Sequence, residues 1–273
     1  MPAIYTHRRF GQEVLARLPE SEKTIAENYR ELYDIGLHGP DILFYYHPLS
    51  RNSVNLTGSR THSQPGKIWF AQMWRVARQR AYPEPYLAYL YGFLCHFFLD
   101  SACHGYINET ARTSPCSHNQ IETELDRYYM IADGKDPMSY SPTGHIHPTE
   151  ENARIISAFF PRITEQEIRE CLKTMVKLEN VWVASNPVKR GAVVGILKAA
   201  RLYDDKKDFM RPYEAPEDCV ALLPPILEMY DRAVPRAVRM IPAFQGMAKG
   251  EEPWASCFSL SFDPQCTSEA PED

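Results

Sequence analysis

The sequence predicts an all-α fold. Apolar residues recur at helical spacing along most of the chain. Convincing period-two alternation is absent, and no Asn-Gly or Asp-Gly turn joins two β-branched runs. The chain is rich in fixed turn points, with 22 Pro against 13 Gly. Eight to ten helices are therefore expected.

Taken in order, Ile25, Tyr29, Leu32 and Tyr33 form one helical stripe. Residues 36–64 read as a long irregular connection carrying His38, His47, His62 and Asp41, and a connection of that length tends to be functional. Helices are expected over 66–80 and 118–131, with a polar loop at 132–149 in which His145 and His147 decorate the surface. Thr164-x-x-Glu167 is a capping-box pattern that opens a helix with the stripe Ile168, Cys171, Leu172, Met175, Val176. Pro224, Pro225, Pro235 and Pro242 are expected to break the C-terminal segment into short helices. One domain over residues 1–264 follows, with the chain from Asp263 fading into a disordered acidic tail at 265–273.

The run Tyr86–Ile107 is long enough for a membrane span but holds His96, Asp100 and His104, and it lacks a basic flank. With a mean hydropathy of -0.41 for the chain, it reads as the buried central helix of a globular domain. An apolar fraction of 44% with 16 Tyr and 12 Phe excludes disorder for the bulk. The net charge of -5 gives no general support for binding nucleic acid or anionic membrane. No signal-peptide pattern opens the chain. Seven Cys, an odd number without a CxxC pair, point to reduced thiols and a cytoplasmic location, with Cys95 and Cys103 as small core residues.

The chemistry lies in spacing. Residues four apart on a helix stand one above the other, so His96, Asp100 and His104 project from one face of an apolar helix. His118 and Glu122 repeat that step on the next helix. Buried imidazoles and carboxylates need partners, and one hydrogen-bonded His would need no further explanation. Five such residues within 27 positions favour a divalent cation, and a set of His, Asp and Glu without thiolates suits catalytic zinc.

The segments GPDILF around Asp41, HFFLDSACHGYI from His96 and HNQIETELD from His118 together resemble the zinc-dependent phospholipase C family of bacteria, related in fold to the fungal single-strand-specific zinc nucleases. The resemblance covers roughly residues 1–131, leaving 132–264 as a helical extension. It implies a multi-helix bundle holding up to three zinc ions that hydrolyse phosphoesters. By position, His96, Asp41 and His62 would take one zinc, with His38 and His47 as competitors for the place of His62. Asp100 would bridge to a second, which also takes His7 and the chain's own amino terminus. His104, His118 and Glu122 would hold the third. Excision of Met1 would expose the Pro2 secondary amine as the terminal ligand.

The reaction this implies is in-line attack of metal-bound hydroxide on phosphorus, with Asp41 as a candidate general base. Asp41 after Gly39-Pro40 reads equally as a turn former, and Phe44, Tyr45 and Tyr46 as either core or substrate mouth. Arg75, Arg78 and Arg80, and the later group Lys189, Arg190, Lys198, Arg201, Lys206 and Lys207, read first as solvated faces. Three functions are open: a phosphoesterase acting on a phospholipid headgroup or a small phosphoester, a single-strand nuclease, and a non-catalytic metal-stabilised binding domain.

Overall fold

The computed structural model describes residues 3–264. Among these there is no strand, in keeping with the all-α expectation. The chain runs α1 (Ile4–Arg17), α2 (Glu20–Asn28), α3 (Arg30–Gly36), a 3-10 helix (Gly39–Tyr45), α4 (Ser53–Ser63), α5 (Gly66–Arg78), α6 (Glu84–Thr113) and α7 (His118–Ala132). It continues through α8 (Glu150–Ser157), α9 (Glu165–Trp182), α10 (Pro187–Ala199), α11 (Tyr203–Lys206), a 3-10 turn (Lys207–Phe209), α12 (Glu217–Val220), α13 (Leu223–Lys249) and a last 3-10 turn (Ser256–Ser259). The helices outnumber the expectation because several are only one or two turns long.

The organising element is α6. Its stretch Tyr86–Ser101 is buried on every side, which is why it reads as apolar without a stripe. It packs most extensively on α3 and α13. The close crossing with α3 depends on Gly36 and Gly92, since a Cβ on either would meet the backbone of the other helix. Among the described residues no helix is long and apolar enough to cross a membrane.

Several expectations need correction. The 25–33 stripe is split, because Tyr29 leaves helical geometry (φ -119°, ψ 47°) between α2 and α3. The 36–64 connection is not structureless: Asn52 caps α4 through a reciprocal capping box with Asn55, a pairing that polar composition hides. Thr164 and Glu167 do form the capping box that opens α9. Arg80 lies just beyond the end of α5 rather than on it. The prolines do not fragment the C-terminal segment; α13 is one helix of 27 residues. Pro224 and Pro225 occupy its first turn, where backbone N–H groups have no intrahelical acceptor. Pro235 is exposed and Pro242 half-buried, so neither ring sits in the tightly packed face of the helix.

Reduced thiols are also corrected at one pair. Cys116, beside the Ser117 cap of α7, is disulfide-bonded to Cys219 of α12. A separation of 103 residues offers no local spacing from which to read that pairing. Cys95, Cys103 and Cys171 are buried free thiols, Cys257 is buried, and Cys95 and Cys103 sit in the core as expected.

Candidate metal centre

Five elements bring the ligand-type residues together. On α6, His96, Asp100 and His104 stack one turn apart, with His96 and Asp100 buried. On α7, His118 and Glu122 face them one turn apart at the start of the helix, which a Ser117–Gln120 capping box opens. The 3-10 helix brings Asp41, and the last turn of α4 brings His62.

His7 arrives on α1, whose first turn is anchored by Asp126 of α7. That carboxylate accepts from Tyr5 N at 3.1 Å, Thr6 N at 2.8 Å and Thr6 Oγ1 at 2.7 Å. It thereby satisfies N–H groups that a helix start leaves open and favours the positive end of the helix. Asp126 was legible only as the last residue of the HNQIETELD segment, with no role attached.

Three clusters result, each offering ligand atoms within 4.8 Å of one another: Asp41, His62 and His96; His7, His96 and Asp100; His104, His118 and Glu122. His96 belongs to the first two, so the partition is less strict than one ligand set for each ion. Asp100 joins them all. Its Oδ1 is 3.1 Å from His7 Nε2 and 3.5 Å from His104 Nε2, and its Oδ2 is 2.9 Å from His96 Nε2. His62 Nε2 lies 2.9 Å from Asp41 Oδ1. Glu122 Oε1 lies 3.3 Å from His104 Nε2 and 3.4 Å from His118 Nε2.

These residues fit zinc chemically. Two ligands about 2 Å from one tetrahedral ion stand about 3.3 Å apart, close to the separations found here. Nδ1 of His62 is fixed by the Gly58 carbonyl and Nδ1 of His118 by Asn108 Oδ1, both at 2.9 Å, so each ring turns Nε2 toward a carboxylate. Asp100 Oδ2 and His96 Nε2 are buried and close but make no hydrogen bond, as two donors aimed at one ion would.

The charges agree. Burial opposes ionisation of Asp100, yet His104, His96 and His7 together hold its carboxyl well below the usual range. Burial lowers His96, whereas Asp100 and Glu122 outweigh it at His104 and raise that imidazole to about 9. Asp41 is likewise held below the ordinary range against burial, with His62 among the groups responsible. It is half-buried, so one ionised carboxylate stands near the rim of the centre.

The chain belongs to the zinc-dependent phospholipase C family, whose match spans residues 6–178. It extends past the 131 residues of the sequence resemblance to take in α8 and most of α9. The family is one of zinc-dependent hydrolases, and its match contains every described candidate ligand. Neither the curated proteins nor the solved structures yield a match.

The remaining histidines separate cleanly. His47 is exposed and 3.5 Å from Glu170, away from the clusters. His38 is buried and its Nε2 meets His145 Nε2 at 2.7 Å, so His145 is a core residue and not a surface decoration; His147 is exposed. Two residues of the centre went unread. Phe262 is fully buried against His62 and His96, and Asp263, expected in a disordered tail, lies 3.8 Å from His104 Nδ1 through Oδ1, which also accepts from Asn108. Met1 and Pro2, and the tail 265–273, lie outside the described residues.

Proposed function

We propose that this protein is a zinc-dependent phosphoester hydrolase of phospholipase C type, acting on a phospholipid headgroup or a small phosphodiester. Up to three zinc ions would be held by His7, Asp41, His62, His96, Asp100, His104, His118 and Glu122, with the Pro2 amine completing the set. The observation that carries this is the meeting of three ligand clusters at Asp100 in a chain of this family. Zinc held there supplies Lewis acidity toward phosphoryl oxygens and a lowered pKa for water.

The protein's own groups do the rest. The buried carboxylate of Asp100 offsets cationic charge in the interior, and the imidazoles of His62 and His118 are fixed by the Gly58 carbonyl and by Asn108 Oδ1. Asp41, ionised and near the rim, is placed to accept a proton from a nucleophilic water.

The test is a panel of phospholipid, bis-p-nitrophenyl phosphate, a phosphomonoester and single-stranded DNA, presented to the zinc-loaded chain. The expected result is cleavage of the phospholipid or the diester, falling at least about 100-fold in Asp41→Asn. Cleavage of DNA alone would replace this reading with the nuclease. Full zinc content with no cleavage of any member would leave a binding domain.

A further inference from the structure

Apart from the metal centre, the ends of α9 and α10, the 3-10 turn Lys207–Phe209 and the bend at 47–50 enclose a cavity of about 580 Å³. That volume is in the range of small-ligand sites. Its wall is almost entirely carbon, from Leu178, Trp182, Val193, Ile196, Leu197 and Phe209. Trp182 stacks on Phe209 with ring centres 5.6 Å apart. At the buried end Tyr45 donates to Glu179 Oε1 at 2.7 Å, so the polar atoms there already satisfy one another. A polar ligand would lose its hydration and find few partners inside.

The rim differs from the wall. Leu49 and Ile196 are 72% and 68% exposed, and the outer face of α10 continues this apolar surface through Val188, Ala192 and Ala199. Lys206 lines the cavity and places its ammonium 5.3 Å from the Phe209 ring. Between residues 187 and 207 there are six Lys and Arg against two Asp, in a chain whose net charge is -5. An apolar hollow with an apolar lip and a local excess of cations matches a molecule with an aliphatic tail and an anionic head.

We infer that this cavity binds one aliphatic chain of an anionic amphiphile, the tail against Trp182 and the head beside Lys206. Most of the wall lies beyond residue 178, outside the segment matched to the family. Tyr45 at its buried end ends the 3-10 helix that carries Asp41, about 8 Å along at a rise of about 2 Å per residue. That the bound tail belongs to a substrate rests on the hydrolase reading; the binding does not.

The test titrates the zinc-loaded full chain with a fatty acid brominated at mid-chain, and separately with vesicles of phosphatidylglycerol brominated in its tails, reading tryptophan quenching. Saturable quenching by the fatty acid identifies a free amphiphile as the source, and quenching by the vesicles alone identifies a bilayer lipid. In either case Trp182→Phe should remove most of the quenching. Ala200→Phe, filling the hollow from its exposed edge, should weaken binding at least tenfold with zinc content unchanged. Lys206→Glu should weaken binding of the fatty acid several-fold more than that of a fatty alcohol of equal length, which keeps the test open should Ala200→Phe fold poorly. No saturable quenching from either source, or quenching undiminished in Trp182→Phe, overturns the inference. Bis-p-nitrophenyl phosphate, which has no tail, is assayed in parallel. Quenching without its hydrolysis counts against the hydrolase reading alone, and hydrolysis without quenching against the cavity alone.

Discussion

Glu179 offers a quantitative check on how the interior beneath that cavity is built. Burial pushes its carboxyl up from 4.5 to about 7, and the hydrogen bond donated by Tyr45 only partly opposes this. The folded state thus prefers Glu179 neutral, while the unfolded chain ionises it from about pH 4.5 upward. Its contribution to stability is fully present below 4.5 and is lost as pH rises through about 7. At about 1.4 kcal/mol per pH unit, that gap amounts to about 3 kcal/mol. Glu179→Gln keeps an oxygen for Tyr45 and cannot ionise. Denaturant unfolding of both proteins at pH 4 and pH 8, in one metal state, should show the variant gaining about 3 kcal/mol over the wild type between the two. A difference that does not change with pH would refute the reasoning, because it would mean Glu179 is ionised and solvated in the folded protein.

Two further outcomes follow from the fold. Gly39 sits at φ +46°, where a Cβ would run into the His96 imidazole, so Gly39→Ala should displace His96 and lower zinc content by at least one ion per chain. Unchanged metal content on analysis would contradict the position given to His96. The Cys116–Cys219 bond closes a span of 103 residues, and its removal by paired Cys→Ala substitution should lower unfolding stability by about 2–4 kcal/mol. Zinc content should not change, since neither residue belongs to a ligand cluster; equal stability of the chain with and without reductant would exclude the bond.

How much was legible depended on the range of the interaction. The i, i+4 steps of His96, Asp100 and His104, and of His118 and Glu122, are enforced by helix geometry and could be read directly. Asp41, His62 and His7 reach the centre through a 3-10 helix, a helix end and a helix start, so their convergence came only through the family resemblance. Asp126, Phe262 and Asp263 act across more than 100 residues, and composition gives no hint of them. The His38–His145 contact was missed for the same reason: both lie in polar segments whose burial is decided by tertiary packing. Proline spacing misled at α13, because a breaker is tolerated in the first turn or where its ring stays off the tightly packed face.

The measurement that bears most directly on the central claim is zinc per chain by elemental analysis, after loading and removal of excess metal, for the wild type and Asp100→Asn. The wild type should hold two to three ions. The variant should lose more than one, since Asp100 lies within 3.5 Å of imidazoles from His7, His96 and His104. Zinc content equal in the two proteins, or a wild type that binds none, would contradict a shared metal centre built around Asp100.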